Sequence, residues 1–322
     1  MSNIQKKAFI TGIRGQDGSY LAELLISKGY SVSGVVKPES DKSKSILAGV
    51  DYIECDLGDE EKLALLIREL KPDEIYNLAG RHMRGDSTCE DFSINAYSPH
   101  ILLEAIRQFA PQARFFQAGS SEMFGNAPPP QNEETPFHPV SAYGVSKLSA
   151  FHFGRMFRES YGLFVSNGIL FNHESPRRGE GFVTRKITLG VAEILAGKRD
   201  TISLGNLDAK RDWGYAPEYV EAMWKMLQQP EPDDYVIATG EVHTVKEFVE
   251  ECFRIGGIDN WEKYVVIDSQ YARQSRESVC KGNHTKAKKN LGWEPKMTFK
   301  ELVRIMLEAD CERMGVKLRE EK

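Results

Sequence analysis

An α/β protein built on a doubly wound parallel sheet, with a smaller C-terminal α/β lobe, is what this 322-residue sequence predicts. Two observations carry that expectation. Apolar runs alternate with helical patterns up to about residue 170, with strands expected near 31–36, 51–55, 73–78, 113–118 and 163–170. The first of these patterns follows a glycine-rich turn close to the amino terminus. Strands separated by crossover helices pair parallel, and their helices cover both faces of the sheet. Beyond residue 170 the alternation loosens, which places a second, smaller unit there.

Taken in order, residues 8–12 form a short apolar strand, and Gly12-Ile-Arg-Gly15-Gln16-Asp17-Gly18 follows at once. Ser19 to Leu25 then continues with helical apolar spacing. Strand, glycine turn and helix together form a dinucleotide-binding signature. Gly12 permits the tight turn, Gly15 lets backbone amides approach a pyrophosphate, and Gly18 allows close helix–sheet packing. The helix N-terminus adds partial positive charge for the anion. Residues 1–170 are therefore expected as a Rossmann-type domain to which some later segments return, and 171–322 as mainly a substrate-binding lobe. The second strand ends in Lys37 with no acid at its tip, and Lys42 and Lys44 follow. An acid there would bind a ribose 2′-hydroxyl, whereas a cation suits a 2′-phosphate, so NADP is expected, with NAD as the alternative.

Pro128-Pro129-Pro130, Pro136 and Pro139 mark a loop, because proline disrupts helix and sheet alike. Tyr143 and Lys147 come next, four apart on one helix face. A cation beside a phenol favours the phenolate, which is expected to move Tyr143 towards the working range of a base. Ser120-Ser121-Glu122 lies upstream. In the second half, helices are expected near 183–196 and 217–228 and a strand near 234–238. Thr244-x-x-Glu247 and Thr298-x-x-Glu301 read as capping boxes that open two further helices.

Composition narrows the function. Hydrophobic content of 41% and charged content of 28% fit a globular enzyme, and a net charge of −5 argues against a nucleic-acid surface. No apolar stretch reaches the ~20 residues that span a bilayer. Met1 to Lys7 leads straight into the first strand, with no signal-like apolar core. Five cysteines at positions 55, 89, 252, 280 and 311 show no metal-ligand spacing, so no metal site is expected and the thiols read as reduced and cytoplasmic.

The G-x-x-G-x-x-G turn with the downstream Ser, Tyr and Lys resembles the extended short-chain dehydrogenase/reductase superfamily. That resemblance implies that Asp56 and Leu57 lie near the adenine and that Leu78, Ala79 and Gly80 lie beside the cofactor. Two later runs, Leu170 to Thr188 and Leu204 to Ala216, closely resemble the GDP-mannose 4,6-dehydratase family. The likeness covers essentially the whole chain. It implies that Tyr143 is the catalytic base, Lys147 its partner and a ribose ligand, and that Ser120 bonds the sugar O4. His173 and Arg178 match cofactor-touching positions. Asn172, Val183, Lys186, Gly205, Arg211 and Arg273 match the GDP-sugar side, where Arg178, Lys186 and Arg211 offer charge to a diphosphate. The mechanism implied is internal redox: hydride leaves C4 for NADP as Tyr143 takes the hydroxyl proton, Glu122 removes the C5 proton from the ketone, water departs from C6, and the hydride returns to C6 and a proton to C5. The product would be a 4-keto-6-deoxy GDP-sugar.

Three departures from the family pattern bear on this reading. Arg81 to Glu90 replaces a mostly neutral loop near the sugar, which admits a larger substrate such as GDP-manno-heptose. The loop 37–45 is short for tetramer contacts; a homodimer is expected through helices around 93–109 and 141–160, with a homotetramer as the alternative. Arg273 to Glu277 puts a cation where an acid is expected. The alternative activity is an NADPH-dependent 4-keto GDP-sugar reductase or epimerase of the same superfamily, since some reductases also carry Ser-Ser-Glu.

Overall fold

The computed structural model describes residues 5–38, 47–81, 89, 92–268, 270 and 279–318. Its elements run β1 (Lys7–Thr11), α1 (Gln16–Ser27), β2 (Ser31–Val36), β3 (Val50–Glu54), α2 (Glu60–Leu70), β4 (Glu74–Asn77), α3 (Ser98–Phe109), β5 (Arg114–Ala118), α4 (Ala142–Tyr161) and β6 (Phe164–Leu170). They continue through β7 (Asn172–Glu174), α5 (Val183–Leu195), β8 (Ile202–Leu204), β9 (Lys210–Arg211), β10 (Trp213–Tyr215), α6 (Ala216–Leu227) and β11 (Tyr235–Ile237). The last are β12 (His243–Thr244), α7 (Val245–Ile255), β13 (Val265–Ile267), α8 (Thr285–Leu291) and α9 (Phe299–Met314).

Seven strands form one parallel sheet in the order β11-β6-β5-β4-β1-β2-β3. The strands near 31–36, 113–118 and 163–170 thus stand where the apolar runs put them. Both faces of the sheet are covered. Leu21, Leu25, Met223 and Leu227 of α1 and α6 pack on one face. Leu63, Ile67, Leu102, Ile106 and Phe157 of α2, α3 and α4 pack on the other. Cover on both faces explains why β4 and the end of β1 are buried without alternation. The order of strands reverses between β1 and β4, and in such sheets the ligand crevice opens beyond the carboxyl ends of the two strands at that point.

The second core is smaller. Ile187 and Val191 of α5, Phe248 and Phe253 of α7, and Leu302 and Met306 of α9 fill it. Its strands pair only two at a time: β10 with β7, β12 with β9, and β13 with β8. Both capping boxes form, Thr244 with Glu247 and Thr298 with Glu301. A π-helical turn, Ser93–Tyr97, runs directly into α3, and no sequence pattern announces it. No helix among the described residues is long and apolar enough to cross a membrane.

Candidate active site

The glycine turn comes first. A Cβ on Gly18 would stand 2.3 Å from the Gly12 carbonyl oxygen, so only glycine lets α1 start this close to β1. Gly12 itself has φ +70°, in the left-handed region. Gly15 sits at the N-cap, where it offers no side-chain acceptor to the first helical amides. Those amides therefore face outward at the positive end of the α1 dipole, a cradle that fits a pyrophosphate.

Beside it, a buried polar chain fixes the loop after β4. The Thr11 hydroxyl donates to Asn77 Oδ1 at 2.5 Å and accepts from the Ala79 amide at 3.1 Å. Asn77 Nδ2 in turn donates to Gln117 Oε1 at 2.9 Å. Leu78, Ala79 and Gly80 are held at the switch point by this chain. Asn95 of the π-helical turn holds the next residue, accepting from the Arg81 amide and donating to the Arg81 carbonyl, both at 2.9 Å. Further out, Asp56 is exposed and accepts from the Gly58 amide at 2.8 Å, while Leu57 packs against the core. Lys37 is exposed at the end of β2. Lys42 and Lys44 lie outside the described residues.

Asp17 and His173, distant in sequence, meet at 2.9 Å between Oδ2 and Nε2. The other ring nitrogen, Nδ1, lies 2.7 Å from the Phe171 carbonyl. Both nitrogens thus face acceptors, which requires a proton on each and makes His173 an imidazolium. Burial works against that charge, but Asp17 outweighs it and the His173 pKa is raised. Burial likewise works against the Asp17 carboxylate, yet His173 and Gln16 leave its pKa lowered. His173 also stacks on the buried Tyr219 ring, with centroids 4.6 Å apart. Gln16 joins the same seam, its Nε2 donating to the His173 carbonyl at 3.0 Å and its Oε1 accepting from Ser175 Oγ at 2.7 Å.

The groups expected to react gather at the start of α4. Ser141 is the N-cap: its oxygen accepts from the Gly144 amide at 3.0 Å, and its hydroxyl donates to Glu122 Oε2 at 2.8 Å. Glu122 is therefore held at the positive end of the helix whose first turn carries Tyr143. Gly144 makes this approach possible, since a Cβ there would fall 2.6 Å from the Glu122 carbonyl oxygen. Tyr143 is hydrogen-bonded to Ser120. The buried Lys147 donates from Nζ to the Ala118 carbonyl at 3.0 Å, sits 5.8 Å from the Tyr143 ring centroid, and lies beside Gly80.

Electrostatics correct one expectation. The Tyr143 pKa is raised, not lowered: burial and then the Glu122 charge push it up, against the pull of Ser120 and Arg178. Burial also pushes the Lys147 ammonium down to about 8, with Asp17 opposing. The pair's spacing along the helix is as read, but burial and the Glu122 charge decide the direction of the Tyr143 shift.

A family model described as GDP-mannose 4,6 dehydratase matches residues 9–306. The chain belongs to that family. It is 46% identical over 328 residues to GDP-mannose 4,6 dehydratase 1 of Arabidopsis thaliana, covering 96% of this chain and 90% of the relative. Identity to the Homo sapiens GDP-mannose 4,6 dehydratase is 44% over 348 residues, covering 98% and 94%. Among solved structures, RMD from Pseudomonas aeruginosa complexed with NADPH superposes with a TM-score of 0.81 at 23% identity, covering 96% of this chain and all (100%) of that one. That likeness is one of fold.

The residues expected on the substrate side are spread over several short elements. Asn172 opens β7 and pairs in register with Trp213 of β10, two residues after Arg211. Val183 and Lys186 lie in the first turn of α5, Gly205 follows β8, and Arg211 ends β9. Arg273 lies outside the described residues, as does most of the loop after Arg81. Arg178 is half-committed elsewhere: its Nε pairs with the buried Glu174 at 3.0 Å and its guanidinium lies 3.6 Å from the Phe182 ring centroid. Sequence reasoning missed Ser141, Asn95, Thr11 and Gln117. Ser141 alone had a signal, a Ser directly before the predicted Tyr143 helix with a glycine three residues on.

Proposed function

We propose that this chain converts GDP-mannose to its 4-keto-6-deoxy derivative with NADP bound in the switch-point crevice. The single observation that carries the reading is the Glu122 carboxylate, held by Ser141 at the mouth of the helix that bears Tyr143. A simple oxidoreductase needs the tyrosine and lysine alone; an elimination needs this second acid/base.

The glycine turn and the outward amides of α1 would hold the pyrophosphate, with Lys37 near the adenosine end, Asp17 and His173 along the α1 seam, and Lys147 at the ribose. When bound, NADP supplies the acceptor and later the donor of the hydride exchanged between C4 and C6, and its positive charge opposes the burial that raises Tyr143. Tyr143 Oη takes the C4 hydroxyl proton, and the Ser120 hydroxyl orients that oxygen. The ketone at C4 makes the C5 hydrogen acidic, and Glu122 removes it. The same carboxyl, once protonated, gives its proton to the departing C6 hydroxyl, and a proton equivalent to the one Tyr143 took returns to C5 as C6 regains hydride. Asn172, Val183, Lys186, Gly205, Arg211 and Arg273 would receive the GDP part.

Exposed Phe92, Tyr97, Val145, Met156 and Tyr161 favour a homodimer built on α3 and α4; light scattering of the purified protein reads the mass. The test of the activity is GDP-mannose deuterated at C4, incubated without added cofactor. Loss of one water with the label recovered at C6 supports the reading, and recovery of the labelled GDP-mannose unchanged rejects it. GDP-manno-heptose run in parallel reports on the sugar; faster turnover of GDP-mannose identifies that as the substrate.

A further inference from the structure

Asp212 is fully buried and follows Arg211 directly. Its two oxygens accept four hydrogen bonds. Oδ1 takes the Thr239 amide at 2.8 Å and the Thr239 hydroxyl at 2.6 Å. Oδ2 takes the Gly240 amide at 2.9 Å and the Gly282 amide at 3.1 Å. Three of the four partners are backbone amides, which can only donate, and the Thr239 hydroxyl donates as well, an arrangement that suits an ionised carboxylate. Burial raises its pKa, and these same donors oppose that rise.

The donors come from separate stretches. Thr239 and Gly240 follow β11, the edge strand of the main sheet, and Gly282 lies beyond Arg273 along the chain. On one side of Asp212 stands Arg211, in register with His243 of β12. On the other stands Trp213, in register with Asn172 of β7. Strands β9 and β12 are two residues long and β7 and β10 three, too short to fix a side chain by ladder bonds alone. We infer that Asp212 is the positioning residue of the GDP end of the site: its carboxylate clamps β9, β10 and the chain after β11 so that Arg211 and Asn172 face one diphosphate. The inference rests on the reading that Arg211 meets that diphosphate.

An asparagine cannot replace it. Whichever way its amide turns, an NH2 group faces a backbone N–H. Thr239→Val is the milder probe, because it removes one hydroxyl donor and keeps the side chain's shape. The experiment is calorimetric titration of GDP into the NADP-loaded protein for Arg211→Ala, Asp212→Asn, their double variant and Thr239→Val, with NADPH affinity and the kinetics of GDP-mannose measured alongside. Asp212→Asn is expected to weaken GDP about tenfold and to raise KM far more than it lowers kcat. The double variant should bind GDP no worse than Arg211→Ala alone, Thr239→Val should show part of the loss, and NADPH affinity should hold throughout. If Arg211→Ala weakens GDP but the other two single variants do not, or if the two losses add, Asp212 is a structural staple only and the inference fails. If Arg211→Ala itself leaves GDP affinity intact, the assignment of Arg211 fails and takes this inference with it. Should Asp212→Asn not fold, Thr239→Val decides alone, by the same GDP titration.

Discussion

The two halves of the molecule hold their working residues by different means. In the sheet half, Tyr143 and Lys147 stand on α4, which runs twenty residues, Ala142–Tyr161, while Ser120 and Glu122 sit at a short 3-10 turn, Ser121–Met123, directly after β5, which is buried through its last four. In the smaller lobe, Asn172, Gly205 and Arg211 stand on or beside strands of two or three residues. Ladder bonds cannot make those strands rigid, and buried carboxylates take over. Asp212 gathers four donors, and Asp310 binds Arg185 at 2.7 Å and Thr188 at 2.8 Å. On the proposed reading, the base is fixed by a long helix and Glu122 by that helix's N-cap, whereas grip on the nucleotide depends on side-chain clamps. Damage to the first should appear in turnover, and damage to the second in affinity.

Lys147→Met gives the sharpest contrast between function and stability. Burial moves the ammonium from 10.5 down to about 8, so keeping it charged at pH 7 costs on the order of 3 kcal/mol of folding stability. The sign follows from the lowered value. The penalty is full below about pH 8 and fades as pH rises towards 10.5. The variant should therefore lose turnover by about a thousandfold yet melt several degrees higher at neutral pH, the gain shrinking in alkaline buffer. Melting curves at both pH values beside a turnover assay check this; a lower melting temperature at pH 7 would mean that the buried ammonium stabilises the fold.

Ser141→Ala removes an N-cap and the Glu122 hydrogen bond together. The cap is worth ~1 kcal/mol. A release of Glu122 should lower kcat by about tenfold with little change in KM, because the contact belongs to the reacting half. Equal loss in KM would blur the division between the halves.

The smallest expected effect lies at the seam between them. The raised His173 pKa contributes stability that is full below about 6.5 and is lost as pH rises through the folded value. The lowered Asp17 pKa contributes stability above about 3.8 that is lost as pH falls through its folded value. Their pair therefore helps most between those limits. Asp17→Asn should lose most stability near pH 5.5 relative to the unaltered protein, with the gap narrowing by pH 9. Denaturant midpoints across that range would show it, and a gap independent of pH would show that charge plays no part.

Much of the sheet half was legible in the sequence because its signals are local. The glycine turn, the apolar strands and Tyr143 with Lys147 lie within a few residues of their partners, as do both capping boxes of the smaller lobe. What could not be read depends on distant segments. Asp17 and His173 stand far apart along the chain, and the donors to Asp212 are mostly backbone amides, which carry no residue signature. The direction of the Tyr143 shift failed for the same reason. Spacing reveals a cation one turn away but not how deeply a ring is buried.

On the proposed mechanism Glu122 is the group that carries dehydration beyond oxidation, so Glu122→Gln supplies the most direct test. With GDP-mannose and NADP-loaded protein, the rate of water loss followed by mass spectrometry should fall at least about a hundredfold while substrate affinity stays near that of the unaltered protein. Dehydration at close to the unaltered rate would contradict the account and move the elimination chemistry to another residue.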